Sequence, residues 1–382
     1  PIRGGVRVSG KAGRTGIGFL TMQTDEVPGV AEGNNYSVIR MSRELPRRSS
    51  FGWIATNRQG TGDHLLQNEY NRSIGLDGRL GIGRYGNVSG FVAKTYSPDR
   101  DDKDHSFRIG SDYRSEGWFL GMNYTEVRED FNPEMGFLRR TAYRKADGVI
   151  FYRYRPDNFL GLQEVRPHIS YRGFWDFDGF QETGFVHIDN HWEWKNGHEI
   201  HTGINFTKEG VKEKFEIFPG FDMTPGIEVM PGTYDNREFQ FVAFTNQGAP
   251  LSFRLRSTIG GFFGGDRVSL SPSLTWRVGK TFNGSVAWTW NDIDLPEGDF
   301  ITNLGRLRVS YSFTPKVFLQ LLAQYNDKAD HWSTNLRFGW LQTANIGLFV
   351  VYNEVRGFDA SDLERPARTF IVKLSRQFDL LR

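Results

Sequence analysis

The feature that most constrains this chain is an alternation of apolar and polar residues with a period of two, repeated along nearly the whole sequence. It is clearest between residues 267 and 278. One set of alternate positions is apolar: Val268, Leu270, Leu274, Trp276 and Val278. The other set is polar: Arg267, Ser269, Ser271, Ser273, Thr275 and Arg277. Successive side chains of a β-strand point to opposite faces, so each such strand separates an apolar medium from water. Many of them in succession predict a sheet closed into a barrel in a lipid bilayer.

The composition agrees with a membrane barrel and excludes a membrane helix. The chain has 382 residues, of which only 38% are hydrophobic, and its mean hydropathy is −0.50. No stretch approaches the roughly 18 consecutive apolar residues that a membrane helix needs. Barrel strands are apolar at only half of their positions, so their mean hydropathy resembles that of a water-soluble protein. Aromatic residues reach 15%, and most tryptophans fall on the apolar face near strand ends, which is typical of membrane interfaces.

Charge, cysteine content and motifs narrow the possible functions. The net charge of +2 argues against nucleic acid as a partner, and the absence of cysteine excludes thiolate chemistry. The chain has no G-x-S-x-G, H-E-x-x-H or P-loop motif, so no catalytic residue is predicted. An enzyme is therefore not expected, although a hydrolase at the barrel rim stays open as an alternative.

The alternating segments predict one all-β domain over residues 1–382, a large antiparallel transmembrane β-barrel of about 21 strands. Short turns alternate with longer loops, and in outer-membrane barrels the short turns are periplasmic and the long loops extracellular. The longer connections are predicted at 24–34, 58–68, 97–104, 127–141, 208–235, 293–300 and 356–366. The loop 208–235 either folds inward as a constriction or carries a short hairpin outside. Pro167 and Pro272 lie within predicted strands and require bulges or strand ends.

The number of strands leads to a further expectation. With about 21 strands the first and the last would run in the same direction, whereas closed bacterial barrels usually have an even number. We therefore expect about 22 strands in the intact protein, with one strand upstream of Pro1. The expected location is the bacterial outer membrane, with lipid and lipopolysaccharide as surroundings.

One hairpin can be derived in detail because opposed residues must share a face. Trp192 and Trp194 are apolar, whereas His191 and Glu193 alternate with them. A two-residue Asn196-Gly197 turn would pair polar with apolar positions. A three-residue loop, 195–197, with Gly197 left-handed keeps the faces matched and sets His191 opposite His201.

That hairpin gathers imidazoles and carboxylates on the lumenal face. Imidazole and carboxylate groups in cross-strand contact can bind Zn²⁺ or another divalent cation, so a metal site is one interpretation. A wet polar wall balanced by nearby arginine is the alternative, and no other cofactor is predicted. The candidate residues are His187, Asp189, His191, Glu193, Glu199 and His201.

A second group of residues is basic and comes from the C-terminal third of the chain. All of its members project from the polar face, where a wall of one sign attracts anions. Pairing with lumenal carboxylates or with a plug is the alternative. The group comprises Arg254, Arg256, Arg267, Arg277, Arg306, Arg308, Arg337 and Lys373.

Three segments resemble a family of outer-membrane barrel domains of unknown function: residues 1–11, 131–140 and 368–375. The first reads Pro-Ile-Arg-Gly-Gly-Val-Arg-Val-Ser-Gly-Lys, the second Phe-Asn-Pro-Glu-Met-Gly-Phe-Leu-Arg-Arg and the third Arg-Thr-Phe-Ile-Val-Lys-Leu-Ser. In that family the barrel follows a domain similar to family-nine carbohydrate-binding modules. The resemblance spans essentially the whole chain and implies that residues 1–382 are a fragment that lacks this N-terminal domain.

Three functions remain open at this point. The first is a channel or transporter, porin-like, for a polar or anionic solute that is related to saccharides by the resemblance. The second is a non-conducting barrel that anchors the carbohydrate-binding-like domain or a protein complex. The third is the rim hydrolase. A barrel of about 22 strands is wide enough to need a plug, a folded loop or a partner protein inside it.

Overall fold

The computed structural model describes residues 1–29, 31–61, 69–98, 100, 102–220, 225–343, 346–357 and 367–376. Within these ranges the regular structure is all β, and no helix has the length and apolar character needed to cross a membrane. The order of the strands is β1 Ile2–Ala12, β2 Thr15–Thr24, β3 Asn34–Leu45, β4 Ser49–Gly60, β5 Tyr70–Ile82, β6 Gly86–Tyr96, β7 His105–Arg114, β8 Trp118–Val127, β9 Tyr143–Tyr152, β10 Leu162–Trp175, β11 Gln181–Trp194, β12 Glu199–Val211, β13 Phe215–Phe218, β14 Ile227–Val229, β15 Gly232–Phe244, β16 Leu251–Phe262, β17 Gly265–Val278, β18 Phe282–Leu295, β19 Gly298–Thr314, β20 Val317–Asn326, β21 His331–Thr343, β22 Ile346–Gly357 and β23 Ala367–Arg376.

Twenty-one of these strands form one antiparallel sheet, and β13 and β14 form a separate pair. The number of long strands predicted from the alternation is confirmed. The chain divides into two compact units, one of Pro1–Arg153 with His168–Val186 and one of Tyr154–Pro167 with His187–Arg382. In the first unit each strand from β1 to β9 pairs with the next along the chain. In the second, β12 pairs with β15, and each strand from β15 to β22 pairs with the next along the chain.

The sheet exposes apolar side chains on one face and buries polar side chains on the other, the reverse of the pattern in a water-soluble protein. On β5, Asn71 and Ser73 are buried at 0% and 9% exposure, whereas Ile74 and Leu76 are 52% and 57% exposed. Full burial of such a side chain is worth roughly 1.5–3 kcal/mol, and these half-exposed side chains forgo part of it in water. An apolar solvent around that face removes this cost, so the pattern is that of strands in a bilayer.

The predicted loop 293–300 is wrong. Strand β18 runs on to Leu295 and β19 begins at Gly298, so the connection is a tight turn. The strands continue because their ends have something to pack against. Ile293, Leu295 and Phe300 are buried in a small hydrophobic core with Val229.

The segment between β12 and β15 forms that partner. It contains a short hairpin, which packs on the same face of β18 and β19 that carries Ile293, Leu295 and Phe300. Strands β13 and β14 pair with each other, and the ring of Phe218 stacks on that of Phe300 with centroids 4.6 Å apart. The Lys328 ammonium donates to the Ile217 carbonyl at 2.6 Å. The hairpin therefore packs on the extended ends of β18 and β19.

A different segment, residues 128–142 in the first unit, places its residues 132–134 on the polar face of the sheet. The Asn71 amide donates to the Asn132 carbonyl at 2.8 Å and accepts from the Glu134 backbone N–H at 3.2 Å. The Thr95 hydroxyl accepts from the Asn132 backbone N–H at 3.1 Å. Arg58 pairs with Glu134 and, at 2.8 Å, with Glu69. These contacts hold residues 132–134 against β4, β5 and β6, which the sequence did not predict.

Pro272 lies within β17 without a bulge. Its partner on β16 is Leu255, and the register with β18 is the same on both sides of it, from Leu270 with Trp290 to Ser273 with Ala287. Proline has no backbone N–H to donate, and the ladder to β18 is simply interrupted there. The expectation of a bulge or strand end at Pro272 is wrong.

Candidate functional site: a histidine cluster and a basic face

The hairpin of β11 and β12 has the derived geometry. The Trp194 N–H donates to the His198 carbonyl at 2.9 Å, and Gly197 adopts a φ of 82°, the left-handed region. The rings of His191 and His201 stack at a centroid distance of 3.4 Å, inclined by 4°. The three-residue loop and the pairing of His191 with His201 are confirmed.

A buried carboxylate lies at the Nε2 edge of the His191 ring. Asp189 is 4% exposed, and its Oδ2 atom lies 3.3 Å from the Nε2 atoms of both His187 and His191. His187 uses its other ring nitrogen on the Asn205 side-chain oxygen at 2.6 Å. Gly203 makes room for this packing, because a Cβ there would lie 3.1 Å from the Asp189 carboxyl carbon.

The carboxylate of Glu199 faces ring nitrogens of both stacked histidines. Its Oε1 atom is 2.7 Å from His201 Nε2 and 3.6 Å from His191 Nδ1. Arg166 on β10 completes this side of the cluster, since it pairs with Glu199 and lies 3.4 Å from Glu193 Oε2. The sequence anticipated an arginine near the carboxylates but could not name Arg166, because the register of β10 in the sheet decides which one arrives.

The structure places the eight basic candidates on one face of β16–β23. Arg254 is opposite Ser273, Ser273 opposite Ala287, and Ala287 opposite Arg306. Opposed residues share a face, and so do residues two apart on one strand. These two rules assign every other position of each strand to the same face as Arg254. The same register continues through β20, β21 and β22 to Lys373 on β23. We call this surface the basic face.

No carboxylate lies on the basic face within the described strands β16–β23. Asp266, Asp292, Asp294, Asp299 and Glu354 all fall on the alternate positions of their strands, which point to the other side. The charges of this face therefore have one sign. This face differs from the first unit, where basic and acidic side chains are mixed: Arg40 pairs with Asp77, and Lys145 lies 2.6 Å from Asp147.

Some members of the basic face are engaged. Arg267 pairs with Glu238, a buried residue of β15, and Arg277 donates to the Gln247 and Ala249 carbonyls, both at 3.0 Å. The guanidinium of Arg254 lies 4.6 Å from the ring centroid of Phe244, and that of Arg337 lies 4.6 Å from that of Phe349.

The exposed members bracket a floor of small side chains. Arg254 and Arg256 on β16 and Arg306 and Arg308 on β19 are exposed, and among the described residues none has a carboxylate within ion-pair distance. Three strand spacings of about 4.8 Å separate the two pairs, so they stand about 14 Å apart. The positions between them carry the small side chains of Ser271, Ser273, Ser285 and Ala287. Long flexible cations on both sides of a low floor can converge on an anion between them.

Comparison with known proteins supports the fold and leaves the function open. No protein-family model matches the chain, and neither does any curated protein. The solved structure of the siderophore receptor PirA from Acinetobacter baumannii is similar, with a TM-score of 0.52 and 9% identity over 94% of this chain and 73% of the receptor. The ferric-catecholate import receptor Fiu from E. coli K12 aligns over 97% of this chain and 71% of its own, at a TM-score of 0.47 and 9% identity. The FrpB iron transporter from Neisseria meningitidis aligns over 92% of this chain and 67% of its own. The TM-score is 0.48 and the identity is 11%.

The similarity to PirA decides the fold class. This chain has the all-β, antiparallel fold of the outer-membrane β-barrels. Identity of 9% carries the fold and no residue role. The link to a carbohydrate-binding module stays a prediction.

Proposed function

We propose that this chain is an outer-membrane transport barrel whose lumen attracts and passes an anionic solute. The observation that carries the proposal is the basic face, where five of the eight described strands β16–β23 present arginine or lysine and none of the eight presents a carboxylate. A wall of one sign between low-dielectric surroundings raises the local concentration of counter-ions and lowers their barrier to entry.

The transport part of the proposal is supported by the fold. A strand architecture similar to that of a siderophore receptor is compatible with moving a polar solute through a bilayer. The alternating faces support a location in the outer membrane, because the exposed apolar face requires lipid and the polar face requires water. A saccharide-related anion is the solute that we propose, and an uptake assay with charged and neutral saccharides tests it.

Arg306 and Arg308 are the residues on which to test selectivity. Both are exposed, and neither has a carboxylate partner among the described residues. The double variant R306S/R308S should shift the reversal potential of single channels toward cations in a salt gradient across a planar bilayer. Removing two of the four exposed charges beside the floor of small side chains lowers the attraction for anions, and the effect should be stronger at low salt than at high salt.

The matched control removes the same charge from turns. Arg14 and Arg47 are exposed and lie between strands, so R14S/R47S should leave the reversal potential unchanged. Cation preference in the unmodified protein would contradict the proposal. Absence of any conductance would favour a non-conducting barrel that anchors a partner.

A further inference from the structure

The histidine cluster of β11 and β12 carries an inference that is independent of the basic face. We propose that His191, Glu199 and His201 bind a divalent cation of the zinc type. The three residues offer ligand atoms that lie within 4.8 Å of one another. A zinc ion with bonds of about 2.0–2.2 Å to nitrogen and oxygen holds its ligand atoms about 3–4 Å apart, which is close to the spacing found here.

The chemistry of the donors selects the ion. Imidazole nitrogen suits Zn²⁺, Ni²⁺ and Cu²⁺, whereas Ca²⁺ and Mg²⁺ prefer oxygen ligands alone. Two imidazoles with one carboxylate form a three-residue set that leaves a fourth position for water or for Glu193. The inference is therefore a site for a borderline cation and not for an alkaline-earth ion.

Asp189 supplies a second, separate observation. Its side chain is almost fully buried, and its Oδ2 atom faces His191 Nε2 at 3.3 Å, on the opposite side of the ring from Glu199. In metal-binding histidines, the ring nitrogen that does not bind the metal commonly donates its N–H to a carboxylate. This hydrogen bond fixes the tautomer and makes the metal-binding nitrogen a better ligand. Asp189 is the positioning residue for His191 in this scheme.

Binding requires one local rearrangement. The two rings are parallel, so their nitrogen lone pairs run side by side, and a shared ion requires one ring to turn about its χ2 torsion. That torsion has broad, low barriers. The contact between Arg166 and Glu199 can persist, since a carboxylate has about four lone-pair sites and can accept a guanidinium and a metal together.

The test is a Zn²⁺ titration of the full chain in detergent micelles. The protein is purified without a histidine tag, treated with chelator, and titrated by isothermal calorimetry. One ion per chain is expected, and H191Q and H201Q should each weaken binding at least tenfold. D189N should weaken it roughly 10–100-fold through the orientation of His191.

His198 provides the matched control. It is an exposed histidine in the turn of the same hairpin, so H198Q should bind as the unmodified protein does. Binding that survives in both H191Q and H201Q, or that falls equally in H198Q, would overturn the proposal.

A measurement on the unmodified protein covers the case in which a variant does not fold. Saturating Zn²⁺ should protect His191 and His201 from diethylpyrocarbonate, read by mass spectrometry, and should leave His198 as reactive as before. Equal modification of all three histidines with and without Zn²⁺ would sink the assignment.

Discussion

At the residue scale, Asn71 shows how one polar side chain can hold a loop. It is fully buried and bonds to Asn132 and Glu134 of the 128–142 segment and, at 2.9 Å, to the Ser97 hydroxyl. An asparagine near the end of a strand, on its polar face, does not by itself predict any particular contact. Its role follows from the return of a segment some sixty residues later in the chain, which local periodicity does not encode.

Asn71→Ala should release this segment. The substitution leaves the Asn132 carbonyl and the Glu134 N–H without their partner, at a cost of roughly 1–3 kcal/mol to local stability. We expect faster proteolysis within residues 128–142 of the folded protein, measured by mass spectrometry of timed digests.

Asn57→Ala is the control for that experiment. Asn57 lies on β4 and bonds to Arg72 at 3.0 Å, away from residues 132–134. Equal cleavage of the Asn71 and Asn57 variants would show that the buried amide does not hold the segment.

At the element scale, the β13–β14 hairpin and the ends of β18 and β19 stabilise one another. A four-residue strand paired with a three-residue strand is too small to persist alone in water. Its apolar side chains reach a core only because β18 and β19 extend beyond their predicted ends.

Phe300→Ala should therefore loosen the hairpin and leave the long strands intact. A buried phenylalanine contributes up to about 3–5 kcal/mol to the core that it fills, so the local opening free energy of β13 and β14 should fall. Hydrogen exchange followed by mass spectrometry should show faster exchange there.

Phe313→Ala is the matched control, since Phe313 lies on the same strand, β19, but is 57% exposed. Unchanged exchange of β13 and β14 in the Phe300 variant would mean that the hairpin is held by other contacts.

At the scale of the whole molecule, the exposed aromatic face predicts contact with lipid. Trp118, Trp288, Trp332 and Trp340 are 45–47% exposed on alternate positions with other apolar residues. In liposomes whose acyl chains carry bromine, tryptophan fluorescence should be strongly quenched, because bromine quenches only at short range.

Acrylamide, a water-soluble quencher, provides the comparison and should have a weak effect on the same liposomes. Strong quenching by acrylamide together with no effect of brominated lipid would place these tryptophans in water and contradict a membrane-spanning sheet.

The sequence by itself determined the strands and their faces. The period of two sets which side chains share a face, and this rule also required the three-residue loop at Gly197 and the pairing of His191 with His201. It placed the eight basic residues on one face for the same reason. These are local consequences of strand geometry, so no knowledge of distant contacts was needed.

Only the tertiary structure decided what meets across long separations in the chain. The end of β18 at Leu295, the docking of residues 132–134 on Asn71 and the arrival of Arg166 beside Glu199 each depend on a segment from elsewhere. Whether a strand stops or continues depends on whether its end finds a partner to bury apolar surface. Alternation along one segment carries no information about that partner.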